Sequence, residues 1–364
     1  MKKTFLIVIW NLGIGGIQKR LKDIVNQLSI DHPNLQITLL IKQKDPNHFA
    51  SSIKPSPNLS LEYAPLQNRR LSAWTFALWF SYKYFTKKPD ILLTFLDHLS
   101  VQAILLKKIC FWTKTRVVLN EGVLTSQYLI LNRPFYWKYI VKTFYKFSDL
   151  IIVPTQAVKH DLISYFSVSD NRIIVIPNWT LFESAPHNGS KTIDLLFIGR
   201  FESEKNPIRF LEILSQLINK YPQIKAVMLG EGSLKEELKK YIKINRLDSF
   251  VELIKPSSSP QSFLIKSKIL VLTTRNEGFP NVVLEAGALG IPSVITDFPG
   301  SREVIHHCQD GFRVTSNKQF IKYISLLLSD KSSRIKVGKQ IQQKVRQYFS
   351  KENQNTFIQT LVTS

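Results

Sequence analysis

Short apolar runs alternate along this chain with longer amphipathic stretches. Two of the runs, 150–153 and 269–272, are apolar at every position, as expected for strands of a parallel sheet with both faces covered. Segments 17–28, 207–220 and 233–245 have the spacing of amphipathic helices. The runs predict strands at 4–10, 36–41, 91–95, 116–119, 150–153, 173–176, 193–198, 224–229, 250–254, 269–273 and 293–296. The alternation indicates βαβ units and therefore an α/β fold with parallel sheets.

The alternation breaks once, near residues 178–192, where the composition turns to Pro, His, Asn, Gly and Ser. A chain of 364 residues is long enough for two domains at roughly 100–200 residues each. The break therefore predicts a linker between two Rossmann-like domains, 1–185 and 186–340. We expect them to face a cleft, because ligands of such sheets bind beyond the carboxyl ends of the strands. A basic last helix at about 331–347 is expected to end in a polar tail.

The composition adds a strong positive charge to this picture. Hydrophobic residues make up 44% and charged residues 21%, which excludes a disordered, collagen-like or coiled-coil chain. The 49 Lys and Arg against 27 Asp and Glu give a formal net charge of +22. Such a charge points to a polyanionic partner: nucleic acid, an anionic membrane or phosphorylated substrates. Cys110 and Cys308 lie far apart, which predicts neither a disulfide framework nor a cysteine zinc site and fits a reducing compartment.

No secretory or membrane-spanning segment is predicted. The apolar start, 4–10, is short and has no small-residue cleavage site, which favours a buried first strand over a signal peptide. The longest other apolar stretch, 71–82, has 12 residues, whereas a spanning helix needs about 20.

Basic and aromatic residues concentrate in residues 66–148. This segment holds 13 Lys and Arg against 3 Asp and Glu, and 18 of the 41 aromatic residues of the chain. Aromatic rings interleaved with lysines suit the headgroup region of a bilayer, so we expect an anionic membrane surface as a partner. The alternative is an aromatic core beneath a solvated basic face. Base stacking is a third reading, but no nucleic-acid-binding signature is visible, and we expect no nucleic acid partner.

A glycine-rich turn follows the first predicted strand. It reads Asn-Leu-Gly-Ile-Gly-Gly-Ile-Gln over 11–18 and leads into a helix. There the backbone N–H groups of Gly15 and Gly16 can approach a phosphate at the start of the helix. The turn is neither GxGxxG nor a Walker motif, so a simple tight turn is the alternative.

Two cations follow the first predicted strand of the second domain. Gly199 and Arg200 come directly after that strand, and Lys205 lies five residues further on. The planar fork of an arginine and the point charge of a lysine can together hold a diphosphate. The alternative is a pair of surface charges. Gly230 lies in a turn after the next strand, at the same edge of the sheet, where it can also simply start a helix.

The most informative segment is 275–286. Pro280 fits the first turn of a helix, where its missing N–H is not needed. This places Glu277 in the preceding loop and Glu285 on the second helical turn, and it leaves the N–H groups of 278–281 free to donate. A loop carboxylate can accept hydrogen bonds from sugar hydroxyls, and the helical carboxylate can accept them from a ribose diol.

Glu277 and Glu285 form a Glu-x7-Glu pattern, and on this motif the chain resembles retaining glycosyltransferases with the GT-B fold, in particular family 4. The wording of 277–296 and of 297–304 is close to that of the family, and 149–158 is similar to it as well. The resemblance covers nearly the whole chain. It implies a nucleotide-sugar enzyme that retains anomeric configuration and needs neither a metal nor a cofactor.

The resemblance also implies an acceptor domain at 1–185, a nucleotide-sugar donor domain at 186–340, and a segment 341–364 that returns toward the first domain. The expected reaction transfers a sugar from a UDP-linked donor to a lipid-linked saccharide or to a lipopolysaccharide or capsule precursor. We expect it at the cytoplasmic membrane face, with the enzyme peripherally associated. The alternatives are a non-catalytic module with the same fold and a basic nucleic-acid-binding protein.

Site residues follow from the same resemblance. Arg200, Lys205 and Glu277 are the implied catalytic residues, because the two cations neutralise the leaving diphosphate and the glutamate contacts the transferred sugar. The implied donor-binding residues are Gly15, Gly16, Gly199, Gly230, Gly278, Phe279, Pro280, Asn281 and Glu285.

The acceptor side is marked by two residues. His98 follows a strand of the first domain and can donate to a sugar hydroxyl or a phosphate, or it is a structural histidine. The family often has a histidine or an arginine-rich element after the next strand, where this chain has Glu121, which is a candidate acceptor-side carboxylate. His306, His307 and Cys308 are adjacent, but without an acidic partner at ligand spacing they are expected to be structural, and no metal site is expected.

Overall fold

The computed structural model describes residues 3–13, 15–43, 52–65, 72–182, 191–256 and 260–363. By contacts within the chain these residues form two compact units. Unit 1 comprises Met1–Ile176 together with Gln354–Ser364, and unit 2 comprises Pro177–Asn353. The strands are β1 Thr4–Asn11, β2 Gln36–Gln43, β3 Leu59–Tyr63, β4 Ile91–Thr94, β5 Arg116–Asn120, β6 Leu150–Val153, β7 Ile173–Val175, β8 Ile193–Ile198, β9 Ala226–Leu229, β10 Val251–Ile254, β11 Ser267–Leu272, β12 Ser293–Thr296 and β13 Phe312–Val314. The helices are α1 Gly16–Asp31, α2 Ser72–Lys87, α3 Asp97–Ile109, α4 Thr125–Asn132, α5 Trp137–Tyr145, α6 Gln156–Phe166, α7 Pro207–Leu217, α8 Lys235–Ile244, α9 Gln261–Lys266, α10 Asn281–Ala288, α11 Ser301–Val304, α12 Asn317–Ser329, α13 Lys331–Tyr348 and α14 Lys351–Thr363.

Unit 1 is built on a seven-stranded parallel sheet with the order β3-β2-β1-β4-β5-β6-β7. The strand order reverses between β1 and β4, which is the position where open α/β sheets bind ligands. The inner strands are buried on both faces because helices cover both sides, which explains why their sequences are mostly apolar. The turns that follow β1, β4 and β5 therefore meet at one edge of the sheet.

Unit 2 repeats this plan with six parallel strands in the order β10-β9-β8-β11-β12-β13. Its order reverses between β8 and β11. Buried side chains form one apolar cluster on each side of the sheet, one centred on α7, α8 and α12 and the other on α10 and α13. The loops after β8 and β11 therefore lie side by side at the position expected for a ligand.

The last helix belongs to unit 1 although the residues before it belong to unit 2. Phe357, Ile358 and Leu361 of α14 are buried, and the guanidinium of Arg20 lies 5.0 Å from the ring centre of Phe357. The Gln354 side chain donates a hydrogen bond to the backbone carbonyl of Asp23 at 2.8 Å. The return of the chain to the first domain is therefore carried by α14.

The structure confirms the α/β class, the two parallel sheets and every strand predicted from the sequence, with ends shifted by at most two residues. It adds β3 and β13, which the sequence analysis missed. The expectation of a polar tail after 331–347 was wrong, because α14 follows there. The predicted boundary at 185/186 lies outside the described residues, and the chain passes between the units at 176/177 and again at 353/354, within the segment 341–364.

Candidate active site

Two loops of unit 2 are joined at the carboxyl edge of its sheet. The loop after β8 contains Lys205 and Asn206, and the loop after β11 begins with Thr273. The Thr273 hydroxyl donates to the carbonyls of Lys205 and Asn206 at 3.2 and 2.8 Å. The Arg275 N–H donates to the Glu204 carbonyl at 2.8 Å. These bonds fix the two loops relative to each other, so side chains that start in different loops have a defined spacing.

The best-defined pair in these loops is Lys205 with Glu277. The Lys205 ammonium lies 2.7 Å from Oε1 of Glu277, and both side chains are largely buried. The other oxygen, Oε2 of Glu277, is buried and has no hydrogen-bond partner among the described residues. The same holds for Thr274 Oγ1 and Asn276 Oδ1 in the same loop. Because buried polar atoms in folded proteins are normally paired, this cluster has the properties of a site that a polar ligand completes.

Arg200 and Lys205 are held by different carboxylates. The Arg200 guanidinium is exposed and pairs with Glu204, whereas Lys205 pairs with Glu277. The sequence analysis treated the two cations as one pair and did not identify Glu204. An exposed ion pair of this kind is worth only about 0–1 kcal/mol, so a ligand with more negative charge than one carboxylate can compete for the Arg200 fork.

Glycine is required where the backbones of these loops approach each other. A Cβ on Gly230 would lie 2.1 Å from the carbonyl oxygen of Gly199, so the turns after β8 and β9 are in direct contact. A Cβ on Gly300 would lie 2.1 Å from the carbonyl oxygen of Gly278. Distances this short exclude any side chain at these two positions.

The start of α10 follows the prediction for 278–285 in most respects. Glu285 is buried on the second turn of the helix. Pro280 is the N-cap residue, one position earlier than the first-turn position expected from the sequence. Asn281 accepts a hydrogen bond from the Asn178 side chain at 2.6 Å. The ring of Phe279 is buried and packs edge-on to Phe349, so the ring is part of the core and only the backbone of Phe279 faces the loop.

In unit 1, the turn after β1 leads directly into α1. Gly15 is the N-cap residue and Gly16 is the first helical residue. The side-chain oxygen of Asn11 accepts hydrogen bonds from the Gly13 N–H at 3.3 Å and from the Gln18 side chain at 3.1 Å, which stabilises the turn. The first N–H groups of a helix have no acceptor within the helix, and the phosphate contact of Gly15 and Gly16 stays a prediction.

A second polar cluster in unit 1 is centred on Asp97, the first residue of α3. Arg133 donates two hydrogen bonds to its carboxylate, at 2.9 and 2.8 Å, and the Trp137 indole N–H donates a third at 2.6 Å. Burial acts to raise the pKa of Asp97, but the neighbouring His98 and Arg133 lower it to about 2. Asp97 is therefore ionised throughout the physiological pH range, and it neutralises the charge of Arg133.

His98 lies next to this carboxylate. Its Nδ1 is 2.9 Å from the Arg133 guanidinium, and its ring packs edge-on to Trp10 with 4.9 Å between ring centres. Its Nε2 is buried without a partner in the described part of the chain. The sequence analysis expected His98 on the acceptor side, and the structure places it at the carboxyl edge of the unit 1 sheet with one ring nitrogen available.

Glu121 follows β5 at the same edge and is buried. The Tyr145 hydroxyl donates to its Oε1 at 2.6 Å. Burial raises the pKa of Glu121 to about 8, and the charges of Asp97 and Asp161 act in the same direction, against the hydrogen bond from Tyr145. The expected acceptor-side carboxylate is therefore a protonated carboxyl group near neutral pH, which can donate one hydrogen bond and carries no charge.

The sequence analysis also addressed metal sites and membrane-spanning helices. Within the described ranges, no three His, Cys, Asp or Glu side chains converge as a metal site requires. His307 accepts a hydrogen bond from the Arg313 N–H at 3.1 Å and packs against Tyr323, which is a structural arrangement. No helix in the described part of the chain has the length and apolar composition of a membrane span.

Comparisons with known proteins agree with this architecture. The family model described as glycosyl transferases group 1 matches residues 179–344, and the one described as glycosyltransferase family 4 matches residues 14–180. Among solved structures, Anabaena HepE in complex with UDP and glucose superimposes with a TM-score of 0.84 over 100% of both chains, at 15% sequence identity. A likeness at this identity concerns the fold, and the fold is GT-B.

Two relatives are similar in sequence. An uncharacterized glycosyltransferase of Methanocaldococcus jannaschii is 29% identical over 60% of this chain and 58% of its own length. A Campylobacter jejuni protein is 27% identical over 89% of this chain and 90% of its own length. The latter is named N-acetylgalactosamine-N,N'-diacetylbacillosaminyl-diphospho-undecaprenol 4-alpha-N-acetylgalactosaminyltransferase.

Proposed function

Because the chain belongs to the group 1 and family 4 glycosyltransferases, we propose that it transfers a sugar from a UDP-linked donor to a lipid-linked saccharide or to a lipopolysaccharide or capsule precursor. The proposal includes retention of anomeric configuration and a reaction without a metal ion. The observation that carries it is the Lys205–Glu277 ion pair with the buried, unpartnered Glu277 Oε2 beside it. The Campylobacter relative is named for a diphospho-undecaprenol acceptor, and HepE was solved with UDP and glucose, which supports both substrate classes.

The chemistry of the donor site follows from charge. When the bond between the sugar and the diphosphate breaks, negative charge builds on the leaving diphosphate, and a fixed cation lowers the energy of that state. Lys205 provides such a cation in a largely buried position, and Arg200 can exchange Glu204 for the diphosphate. The free oxygen of Glu277 accepts a hydroxyl of the transferred sugar. Glu285, eight residues further on, accepts the ribose diol.

A nucleotide panel tests the donor site. We expect UDP to raise the melting temperature, and GDP, ADP and dTDP to have little effect, because a ligand stabilises only the state that binds it. At 100 times its Kd, UDP would add about 2.7 kcal/mol to the free energy of unfolding. Glu285→Gln is expected to abolish the shift, measured from the melting temperature of the variant itself. The control is Glu252→Gln, which changes an exposed residue of β10 in the same unit and should keep the shift. No shift with any nucleotide would contradict the proposal.

An exposed apolar stripe on α2 supports a membrane location. Phe76 and Phe80 point into the core, as expected for a helix packed on a sheet. Trp74, Leu78 and Tyr82 follow one another at intervals of four residues and are exposed, Trp74 at 78%. A helix that is apolar on both faces is normally buried on both. The outer face of α2 therefore fits an apolar environment outside this chain.

The segment α4–α5, residues 125–145, has a similar surface. The end of α4, the start of α5 and the loop between them expose large apolar side chains, namely Ile130, Leu131, Phe135, Tyr136 and Tyr139. Lys138 and Lys142 are exposed on α5 between them. Helix α3 packs between α2 and α5, so the three helices form one side of unit 1. We propose that this side contacts an anionic bilayer at the cytoplasmic face, where each basic residue contributes about 1 kcal/mol.

Vesicle binding tests this surface. We expect the double variant Trp74→Ser/Leu78→Ser to bind vesicles of phosphatidylglycerol and phosphatidylcholine at least tenfold more weakly, about 1.4 kcal/mol, because it removes two side chains that would insert between headgroups. Ile244→Ser is the matched control, since Ile244 is equally exposed, at 79%, in unit 2. Co-sedimentation measures both. Binding of the double variant that equals that of the native protein would exclude α2 from the contact.

A further inference from the structure

Lys42 is a buried cation at the carboxyl edge of the unit 1 sheet. It is the penultimate residue of β2, and the residue is only 7% exposed. The register of β1 and β2 pairs Ile9 with Ile41 and Asn11 with Gln43, so Trp10 and Lys42 stand side by side. The Lys42 ammonium lies 3.3 Å from the centre of the Trp10 ring.

No carboxylate among the described residues pairs with Lys42. The indole face attracts the ammonium, but this attraction returns less free energy than the ammonium loses when it leaves water. Burial accordingly lowers the pKa of Lys42. Buried charges in proteins are normally paired. A buried lysine that, among the described residues, contacts an aromatic ring and no carboxylate is therefore typical of a binding site that an anion completes.

His98 provides a second incomplete group on the same indole ring. Its Nδ1 lies 2.9 Å from the Arg133 guanidinium and 3.6 Å from the Asp97 carboxylate. Its Nε2 is buried and has no partner among the described residues. Trp10 thus contacts an ammonium and an imidazole that both lack a partner at one polar atom in the described part of the chain.

The neighbouring acids do not satisfy these groups. Asp97 is already bound by Arg133 and Trp137, and Glu121 accepts from Tyr145 and is protonated near neutral pH. A sugar hydroxyl could pair with His98 but would leave the charge of Lys42 unpaired. An oxygen anion would pair that charge.

We propose that Lys42, held on the Trp10 ring beside His98, forms a subsite for an anionic oxygen group of the acceptor, a phosphate or a sugar carboxylate. This inference rests on the proposed function, because the subsite occupies the edge of the unit that is assigned to the acceptor. It narrows the acceptor class to saccharides that carry a negative charge next to the reacting sugar. A neutral acceptor would leave Lys42 without a role.

Calorimetric titration with inorganic pyrophosphate and with glucuronate tests the subsite and distinguishes the two sources of negative charge. The full chain is saturated with UDP first, and a Lys205→Ala variant without UDP is titrated in parallel, so that the donor site does not take up the anion. We expect one of the two anions to bind, and Lys42→Met to weaken it at least tenfold. Lys54→Met, a variant of an exposed lysine in the same unit, should bind as the native protein does.

The melting temperature without an anion provides an independent readout. If Lys42 is a binding residue, Lys42→Met removes an unpaired buried charge and leaves the melting temperature unchanged or raises it. If Lys42 serves only to stack on Trp10, the variant melts at a lower temperature. The proposal is overturned if neither anion binds in either background or if Lys42→Met binds as tightly as the native protein. Failure of UDP to bind, with anion binding intact, counts against the proposed donor site alone.

Discussion

Replacement of Lys205 by alanine is expected to lower kcat/KM for the nucleotide-sugar donor about 100-fold, or about 2.7 kcal/mol, because removal of one fixed group that stabilises developing charge costs about 10²–10³ in rate. The loss also leaves the Glu277 carboxylate without its counterion at 2.7 Å. Glu277→Gln is expected to reduce the rate by a similar factor. Since the two side chains act as a pair, the double variant should lose less than the product of the two single losses. Release of UDP from the donor measures the rate.

A second ion pair in the same unit provides the control for Lys205. Lys268 and Asp194 lie 2.7 Å apart in the first residues of β11 and β8, at the amino edge of the sheet. Lys268→Ala should therefore leave kcat/KM within about twofold of the native value, because this pair lies at the opposite edge of the sheet from the candidate site. An equal loss in both variants would indicate a general effect on folding and would refute the role assigned to Lys205.

Asp97→Ala is expected to have the largest effect on stability. It leaves the Arg133 guanidinium and the Trp137 N–H without their common acceptor, and breaking a buried pair from one side costs about 3–5 kcal/mol. The value should fall near 3 kcal/mol, because the Arg133 side chain is only partly buried. Arg133→Met in the Asp97→Ala background should restore part of the loss, since it removes the orphaned cation.

Urea unfolding followed by tryptophan fluorescence measures this effect in unit 1. Five of the six tryptophans belong to that unit, namely Trp10, Trp74, Trp79, Trp112 and Trp137. Asp170→Ala is the control, because Asp170 forms an exposed pair with Lys159 at 2.8 Å and should cost under about 1 kcal/mol. Identical unfolding midpoints for Asp97→Ala and the native protein at pH 7 would contradict the assignment.

The difference in unfolding free energy between the native protein and Asp97→Ala should depend on pH with a defined sign. The pKa of Asp97 is lowered to about 2 in the folded protein, below the usual value of 3.8. The carboxylate therefore contributes its full stabilisation above about pH 4, and the contribution is lost as the pH falls through the folded-state pKa. The gap between the native protein and Asp97→Ala should shrink accordingly on acidification.

How far the sequence predicts a strand depends on whether its apolar residues form a continuous run. Strand β6 lies inside its sheet and is apolar at every position, so its sequence alone identifies it. Strands β3 and β13, at sheet edges, are interrupted by polar residues and were missed, whereas β7, also at an edge, is an apolar run and was predicted. Helix α14 has few apolar residues, and only its packing in unit 1 distinguishes it from a polar tail.

The candidate site shows the same division between local and distant information. The positions of Glu277 and Glu285 follow from the spacing within one loop and helix, and the structure has them in that loop and helix. The contacts of Asp97 with Arg133 and Trp137 join residues 36 and 40 positions apart, and no local pattern indicates them. Lys42 had a weaker signal, a lysine at the end of an otherwise apolar strand, but its pairing with Trp10 depends on strand register.

The division of unit 1 between two separate stretches of the chain affects how the protein is made. A ribosome completes residue 176 long before it reaches residue 354, and at 5–20 residues per second the interval lasts roughly 10 to 35 s. Throughout this interval the surface of α1 that receives Phe357 is uncovered, whereas unit 2 is complete as soon as residue 353 has been made. The first domain to be synthesised is therefore the last to be completed, and a fragment ending at residue 176 lacks a helix of its own core.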